Sequence, residues 1–213
     1  MSKEYDLVIL GGGTAGYVSA IRASQLGKKV AIVEKFKLGG TCLHKGCIPT
    51  KSYLKTAEIL RYIQHSNEYG IKTASADFEM SDVVAKKDET VSTMYNGVQS
   101  LMKKYKIDIY EGNGRILGPS LFSPQAGTVS VEFENGESEL LVNQNVLIST
   151  GSRPIELPFL KFNHQTVISS DDMMQLETLP ESMLIIGGGV IGLEFASLLN
   201  DLGVKVTVVE AGQ

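Results

Sequence analysis

The sequence predicts an α/β fold built on two copies of one βαβ unit, the second cut short, with a small antiparallel β-meander between them. Two observations predict it. Leu7 to Lys35 lies over Met183 to Ala211 without a gap and shares Gly11/Gly187, Gly13/Gly189, Gly16/Gly192, Gly27/Gly203 and Glu34/Glu210. Between the copies the apolar period changes from helical to two: Val129, Val131 and Phe133 alternate ahead of Asn135-Gly136, a pair favoured in tight hairpin turns.

Each copy opens with a short apolar strand, Leu7 to Leu10 or Met183 to Ile186, and passes through a glycine turn into an amphipathic helix. A second apolar strand follows, Val30 to Val33 or Val204 to Val209. A parallel pair joined by a helical crossover closes right-handed, so both strand ends and the helix N-terminus meet at one sheet edge. Between the copies, Tyr53, Ala57, Leu60 and Gln64 predict a helix from Pro49 to about Tyr69. Val91, Met94, Tyr95, Val98, Leu101, Met102 and Tyr105 predict a second. Both read as helices covering a sheet. The meander is expected at about 107–149. The strand Val146 to Ser149 then runs into Thr150-Gly151-Ser152-Arg153-Pro154, which places a domain boundary between 1–152 and an incomplete second domain at 153–213.

Composition narrows the functional classes. With 213 residues, 43% of them hydrophobic, the chain can bury a core. A net charge of -4 supplies no broad basic field, which argues against nucleic acid or an anionic membrane as the main partner. The apolar run behind the N-terminus is too short for a signal peptide or a membrane span, so a cytoplasmic protein acting on small molecules is expected. Only two cysteines are present, and in a reducing compartment a bridge between them would be catalytic rather than structural.

Gly11-x-Gly13-x-x-Gly16 follows a strand and opens a helix, the setting in which this pattern binds a dinucleotide. The first glycine permits the tight turn, the second lets the backbone approach a pyrophosphate, and the third lets helix and strand pack closely. The helix N-terminus offers unpaired N–H groups to the diphosphate, and Glu34 is placed for ribose hydroxyls. Gly187, Gly189, Gly192 and Glu210 repeat the pattern. The fold class is therefore α/β with two Rossmann-like dinucleotide-binding units, the FAD/NAD(P)-binding fold. Glu210 would bond a free 2'-hydroxyl and repel a 2'-phosphate, and with no arginine nearby NAD is preferred over NADP.

Cys42 and Cys47 stand in Gly39-Gly40-Thr41-Cys42-Leu43-His44-Lys45-Gly46-Cys47-Ile48-Pro49-Thr50-Lys51, just after Glu34 and at a predicted helix entrance. The positive end of that helix, with Lys45 or Lys51, would favour thiolate, the form that exchanges with disulfides. Two other readings are a metal site made from Cys42, His44 and Cys47, which lacks a fourth ligand, and two unrelated reduced cysteines. A nicotinamide hydride does not readily split between two sulfurs, so a second dinucleotide that relays two electrons is expected. That relay is a flavin, which assigns FAD to the first fingerprint and NAD to the second.

On these motifs, together with Thr150-Gly151-Ser152-Arg153-Pro154 and Glu194, the whole chain resembles the pyridine nucleotide-disulfide oxidoreductases, and most of all the branch that oxidises dihydrolipoamide for 2-oxo acid dehydrogenase complexes. The resemblance implies that Cys42 exchanges with the lipoyl disulfide and Cys47 lies nearer the flavin. It implies that Lys51 and Glu194 pair beside the reactive flavin nitrogen, and that Gly40, Thr41, Gly114, Thr150, Gly151 and Ser152 contact FAD. It also implies a lipoyl domain as partner and a homodimer in the full-length enzyme. Members of the family run to about twice this length, so the C-terminal dimerisation domain and its catalytic histidine are expected beyond Gln213, and these 213 residues are not expected to turn over at the full rate. Acting on glutathione or mercuric ion, or serving as a non-catalytic flavin-binding module, are the alternatives. Glu210 disfavours the NADP-dependent glutathione enzymes.

Overall fold

The computed structural model describes residues 3–74, 76–119 and 127–212, which divide into two compact units. The first comprises the described residues of Met1–His44 and Thr93–Arg153, the second those of Lys45–Ser92 and Pro154–Gln213. The expected boundary after residue 152 stands next to the Arg153/Pro154 division. The segment Lys45–Ser92, however, groups with the later part of the chain.

In chain order the first unit opens with β1 (Lys3–Leu10), α1 (Thr14–Gln25), β2 (Val30–Glu34) and a short α2 (Gly40–His44). The middle of the chain is α3 (Cys47–Gln64), a 3-10 turn at Ser66–Tyr69, and α4 (Met80–Lys104), within which the unit division falls. The first unit then continues with β3 (Asp108–Glu111), β4 (Asn113–Ile116), β5 (Val129–Glu132) and β6 (Ser138–Ile148). The second closes with a 3-10 turn at Asp172–Gln175, β7 (Ser182–Ile186), α5 (Val190–Asp201) and β8 (Lys205–Val209).

Six strands of the first unit form one sheet in the order β3-β2-β1-β6-β5-β4. The C-terminal half of β1 and β2 as far as Val33 are apolar because both faces are covered there, and Val8, Ile9, Ala31 and Ile32 have no exposed surface. The expected meander is corrected at its start. β3 pairs in parallel with β2, Ala31 opposite Asp108 through Glu34 opposite Glu111, so it extends the dinucleotide-binding sheet instead of beginning an antiparallel ribbon. Only Tyr110 of β3 is buried, and so short a polar strand carries no apolar run to announce its parallel pairing. The antiparallel part is β4-β5-β6, and it is continuous with the parallel sheet because β6 serves both: Ser138 to Leu141 face β5 and Leu141 to Ile148 face β1.

The hairpin at Asn135-Gly136 closes through a three-residue loop. Phe133 N–H donates to Glu137 C=O (2.9 Å) and Gly136 N–H to Phe133 C=O (3.0 Å), with Gly136 alone in the left-handed region at φ +83°. The expected tight turn at Asn135-Gly136 is a type I turn ending in a left-handed glycine.

In the second unit Tyr53, Ala57 and Leu60 of α3 pack with Val83 of α4, Met173, Met174, and Phe195, Leu198 and Leu199 of α5. Each such large apolar side chain contributes about 2 kcal/mol on burial. α4 begins at Met80, well before the expected Val91. Its first turns are charged, and their inner stripe rests on Val83 and the buried Lys87, whose aliphatic stem serves as apolar surface. Lys87 Nζ and the Tyr53 hydroxyl both donate to the Met174 carbonyl, at 3.0 and 3.1 Å, so the polar ends inside this core are satisfied. Burial, with Asp88 nearby, pushes the Tyr53 phenol up to about 12.

β7 and β8 pair in parallel as a two-stranded sheet. Met183, Ile185 and Val206 pack toward α5, while Leu184, Ile186, Val208 and Val209 on the same strands are exposed. Among the described residues, no helix is long and apolar enough to cross a membrane.

Candidate functional site

The repeat seen in the sequence recurs in strand register, backbone hydrogen bonds and helix N-cap geometry. Leu7 pairs with Val30 as Met183 pairs with Val206, and Gly11 N–H reaches Val33 C=O (2.9 Å) as Gly187 N–H reaches Val209 C=O (2.8 Å). The N-caps Gly13 and Gly189 are both extended, at φ/ψ of -70°/-171° and -72°/176°. Neither carries a side-chain capping bond, and neither helix has an acid in its first turn, which leaves both N-termini open to an anion.

Gly16 is fixed by contact: a Cβ there would stand 1.9 Å from the Gly11 carbonyl oxygen, and one at Gly192 2.1 Å from that of Gly187. Gly11 itself adopts φ +98°, a region that L side chains rarely enter.

The two strand-terminal acids occupy equivalent positions. Glu34 Oε2 accepts the Gly12 N–H (2.6 Å) and Oε1 the Phe36 N–H (2.8 Å). Glu210 Oε2 accepts the Gly188 N–H (2.6 Å) and Oε1 the Gly212 N–H (2.6 Å). The Gly212 and Gly188 amides hold the Glu210 carboxyl below its ordinary value, so it is anionic at neutral pH and would repel a 2'-phosphate. Each carboxylate oxygen keeps a second lone pair able to accept from a ribose hydroxyl, while the helix N–H groups could donate to a diphosphate.

In the first unit a second backbone reaches the same turn. Gly39 N–H donates to Gly12 C=O (2.8 Å), and a Cβ on Gly40 would come within 2.7 Å of Gly13 Cα. The stretch that leads to Cys42 is thus docked on the fingerprint. Gly114 lies on β4, where a side chain would strike Leu10 and Val33. Thr150, Gly151 and Ser152 are exposed directly after β6, and Thr41 is exposed on α2.

Cys42 lies on α2, half-buried, and Cys47 is the exposed first residue of α3, with Leu43 to Gly46 between them. Pro49 occupies the first turn of α3, where its missing N–H costs nothing. His44, a candidate metal ligand by sequence, turns its Nε2 to the Leu38 carbonyl (2.8 Å) and its ring edge to Tyr95. Among the described residues no group of three or more His, Cys, Asp or Glu is placed to hold a metal ion.

The structure brings Lys51 of α3 and Glu194 of α5 together, Nζ to Oε1 at 3.1 Å. At 64% and 29% side-chain exposure the pair adds little to stability. Lys45 is paired with Asp171 at 2.9 Å. Lys45 and Lys51 thus each carry a carboxylate partner, and the Lys51–Glu194 pair is the one that the family resemblance implies. Sequence reasoning also missed Gly12, whose amide holds Glu34, and Ser149, whose hydroxyl reaches the Leu10 and Gly11 carbonyls at 3.0 and 2.8 Å. A serine at a strand end carries no signal of such a role.

Two glycine fingerprints, each with a strand-end acid that holds its turn, and a stretch leading to Cys42 docked on the first, are the features the described residues bring together. The profile of the pyridine nucleotide-disulphide oxidoreductases matches residues 5–213, and the chain belongs to that family. It is 56% identical over 211 residues to a dihydrolipoyl dehydrogenase of Bacillus subtilis (strain 168), covering 99% of this chain and 44% of that one. It is 43% identical to a dihydrolipoyl dehydrogenase of Acholeplasma laidlawii, covering 99% and 60%. The chain therefore spans roughly half the length of these relatives. Its fold is similar to that of LpdA from Mycobacterium tuberculosis, with a TM-score of 0.87 at 22% identity over 98% of this chain and 44% of that one. The Escherichia coli flavoprotein disulfide reductase RclA, solved as the Cu(II) complex of a cysteine-to-serine mutant, matches with a TM-score of 0.79 at 28% identity over 100% and 43%.

Proposed function

We propose that these residues are the dinucleotide-binding portion of a dihydrolipoamide dehydrogenase, which oxidises protein-bound dihydrolipoamide to lipoamide with NAD as electron acceptor. The observation that carries this reading is 56% identity over 211 residues to a dihydrolipoyl dehydrogenase. The lipoyl domain of a 2-oxo acid dehydrogenase complex is the proposed partner, and the full-length enzyme the proposed homodimer.

In this reading Gly11, Gly13 and Gly16 with the N-terminus of α1 hold the FAD diphosphate, and Glu34 holds the ribose. Gly40, Thr41, Gly114 and Thr150 to Ser152 contribute further contacts, as the resemblance implies. Gly187, Gly189, Gly192 and Glu210 hold NAD in the same manner. When bound, FAD supplies a two-electron relay between a thiol pair and a nicotinamide.

The sulfur chemistry belongs to the chain. A substrate thiolate attacks the Cys42 sulfur of a Cys42–Cys47 disulfide, and the bond to Cys47 breaks with its electron pair on Cys47 sulfur. The second substrate thiolate then attacks its own sulfur bound to Cys42 and releases Cys42 as thiolate. Substrate leaves as a disulfide, two electrons stay on the cysteine pair, and the two substrate protons pass to bases in the site. As the resemblance implies, Lys51, paired with Glu194, would lie beside the reactive flavin nitrogen.

A second reading, reduction of another disulfide, is supported by the likeness to RclA. Steady-state assays of the whole protein separate the two. Dihydrolipoamide with NAD is expected to give turnover well above glutathione disulfide with NADPH. The reverse order would overturn the lipoamide assignment.

A further inference from the structure

Gly11 and Gly12 share one peptide unit, and the two ends of its dipole are held by different parts of the first unit. Its N–H, on Gly12, donates to Glu34 Oε2 at 2.6 Å. Its C=O, on Gly11, accepts the Ser149 hydroxyl at 2.8 Å, and the same hydroxyl lies 3.0 Å from the Leu10 carbonyl. Ser149 N–H also donates to the Leu10 carbonyl (2.8 Å). Packing locks the arrangement: a Cβ on Gly11 would lie 2.2 Å from the Ser149 carbonyl oxygen, and one on Gly16 3.0 Å from the Ser149 hydroxyl oxygen. In the second fingerprint the N–H end is held in the same way, by Glu210, whereas a Cβ on Gly187 would meet nothing within 4 Å.

We propose that Ser149 is a positioning residue of the first dinucleotide site, its hydroxyl fixing the Gly11–Gly12 peptide so that the turn presents its amides to a diphosphate. The inference rests on the assignment of FAD to this site and adds to it a group outside the fingerprint. Ser149 is also joined directly to Thr150, so the fingerprint turn and the Thr150–Ser152 loop are set from one strand end. Rotation of the Gly11–Gly12 peptide would withdraw the Gly12 amide from Glu34 and change the direction in which the following N–H groups face. The proton shared between two carbonyls resists that rotation. Without it, the Gly11 oxygen lies against Gly16 with no hydroxyl donor from β6's end.

The test uses the whole protein stripped of flavin. FAD affinity is measured by fluorescence titration, and exchange of the Gly12 amide is followed by NMR in the flavin-free state. Ser149→Ala and Ser149→Cys, the latter close in shape but a weak donor, are each expected to weaken FAD binding roughly tenfold. Both are expected to speed exchange at Gly12, while Ser149→Thr, which retains the hydroxyl, restores both readouts. Unchanged FAD affinity and unchanged Gly12 exchange in the alanine and cysteine variants would overturn the proposal and leave the FAD assignment standing. Failure of the unsubstituted protein to bind FAD would instead overturn that assignment, and the inference with it.

Discussion

Replacing Cys42 with serine is expected to stop dihydrolipoamide oxidation by the whole protein, lowering kcat/KM by more than about 1,000-fold, since a hydroxyl cannot take the place of sulfur in disulfide exchange. The loss should be confined to the sulfur steps. NADH-driven reduction of an artificial acceptor such as ferricyanide needs no thiol, and is expected to continue near the unsubstituted rate. Cys42 lies on α2 in the segment docked on the first fingerprint, so the change is local and the dinucleotide turns should be undisturbed. Retention of most dihydrolipoamide activity would contradict the assignment of Cys42 as the exchanging sulfur. Loss of both activities together would show that the substitution acts through folding or flavin binding.

Gly16→Ala is the second substitution expected to have a large effect. The added methyl would stand 1.9 Å from the Gly11 carbonyl oxygen, a backbone atom that cannot move without displacing β1 or α1. Overpacking of this kind costs about 3 kcal/mol where backbone must shift. The shift would also carry the α1 N-terminus away from the Gly11–Gly13 turn. Both a lower melting temperature and lost FAD affinity are therefore expected. Gly97→Ala is the contrasting change: Gly97 is exposed within α4 and a Cβ there would meet nothing within 4 Å. Alanine at such a helical position is expected to add about 1 kcal/mol. Calorimetric melting of the two variants checks both signs, and a Gly16→Ala protein as stable as the parent would refute the packing argument.

How legible these features were depends on whether side-chain chemistry or backbone environment determines them. The glycine fingerprints and strand-terminal acids could be read because Gly11 and Gly187 take a positive φ and Gly16 and Gly192 leave no room for a Cβ, at the same spacing in both copies. The hairpin at Gly136 was visible for the same reason, although its loop geometry was not. β3 was hidden because Asp-Ile-Tyr-Glu has the polarity of an edge strand, and its parallel pairing is decided by β2 and by the Tyr5 hydroxyl, which meets Asp108 and Tyr110 at 2.7 and 2.8 Å. The start of α4 was hidden because Lys87 stands where an apolar residue would have signalled the buried face. The partner of Lys45 lay beyond sequence reasoning as well, since Asp171 comes from a loop with no periodicity of its own. Lys51 and Glu194 were paired through the family resemblance alone, since nothing in their local sequence couples residues 143 positions apart.

If Cys42 and Cys47 form a redox pair coupled to a flavin held by the first fingerprint, the flavin spectrum reports the state of the two thiols. The measurement that tests this coupling most directly is the visible absorption spectrum of the whole protein during titration with one equivalent of dithiol. A bound flavin is expected whose spectrum gains a long-wavelength band as the cysteine pair is reduced, a band that Cys47→Ser removes. A protein without flavin absorbance, or one whose flavin spectrum ignores the state of its two thiols, would contradict it.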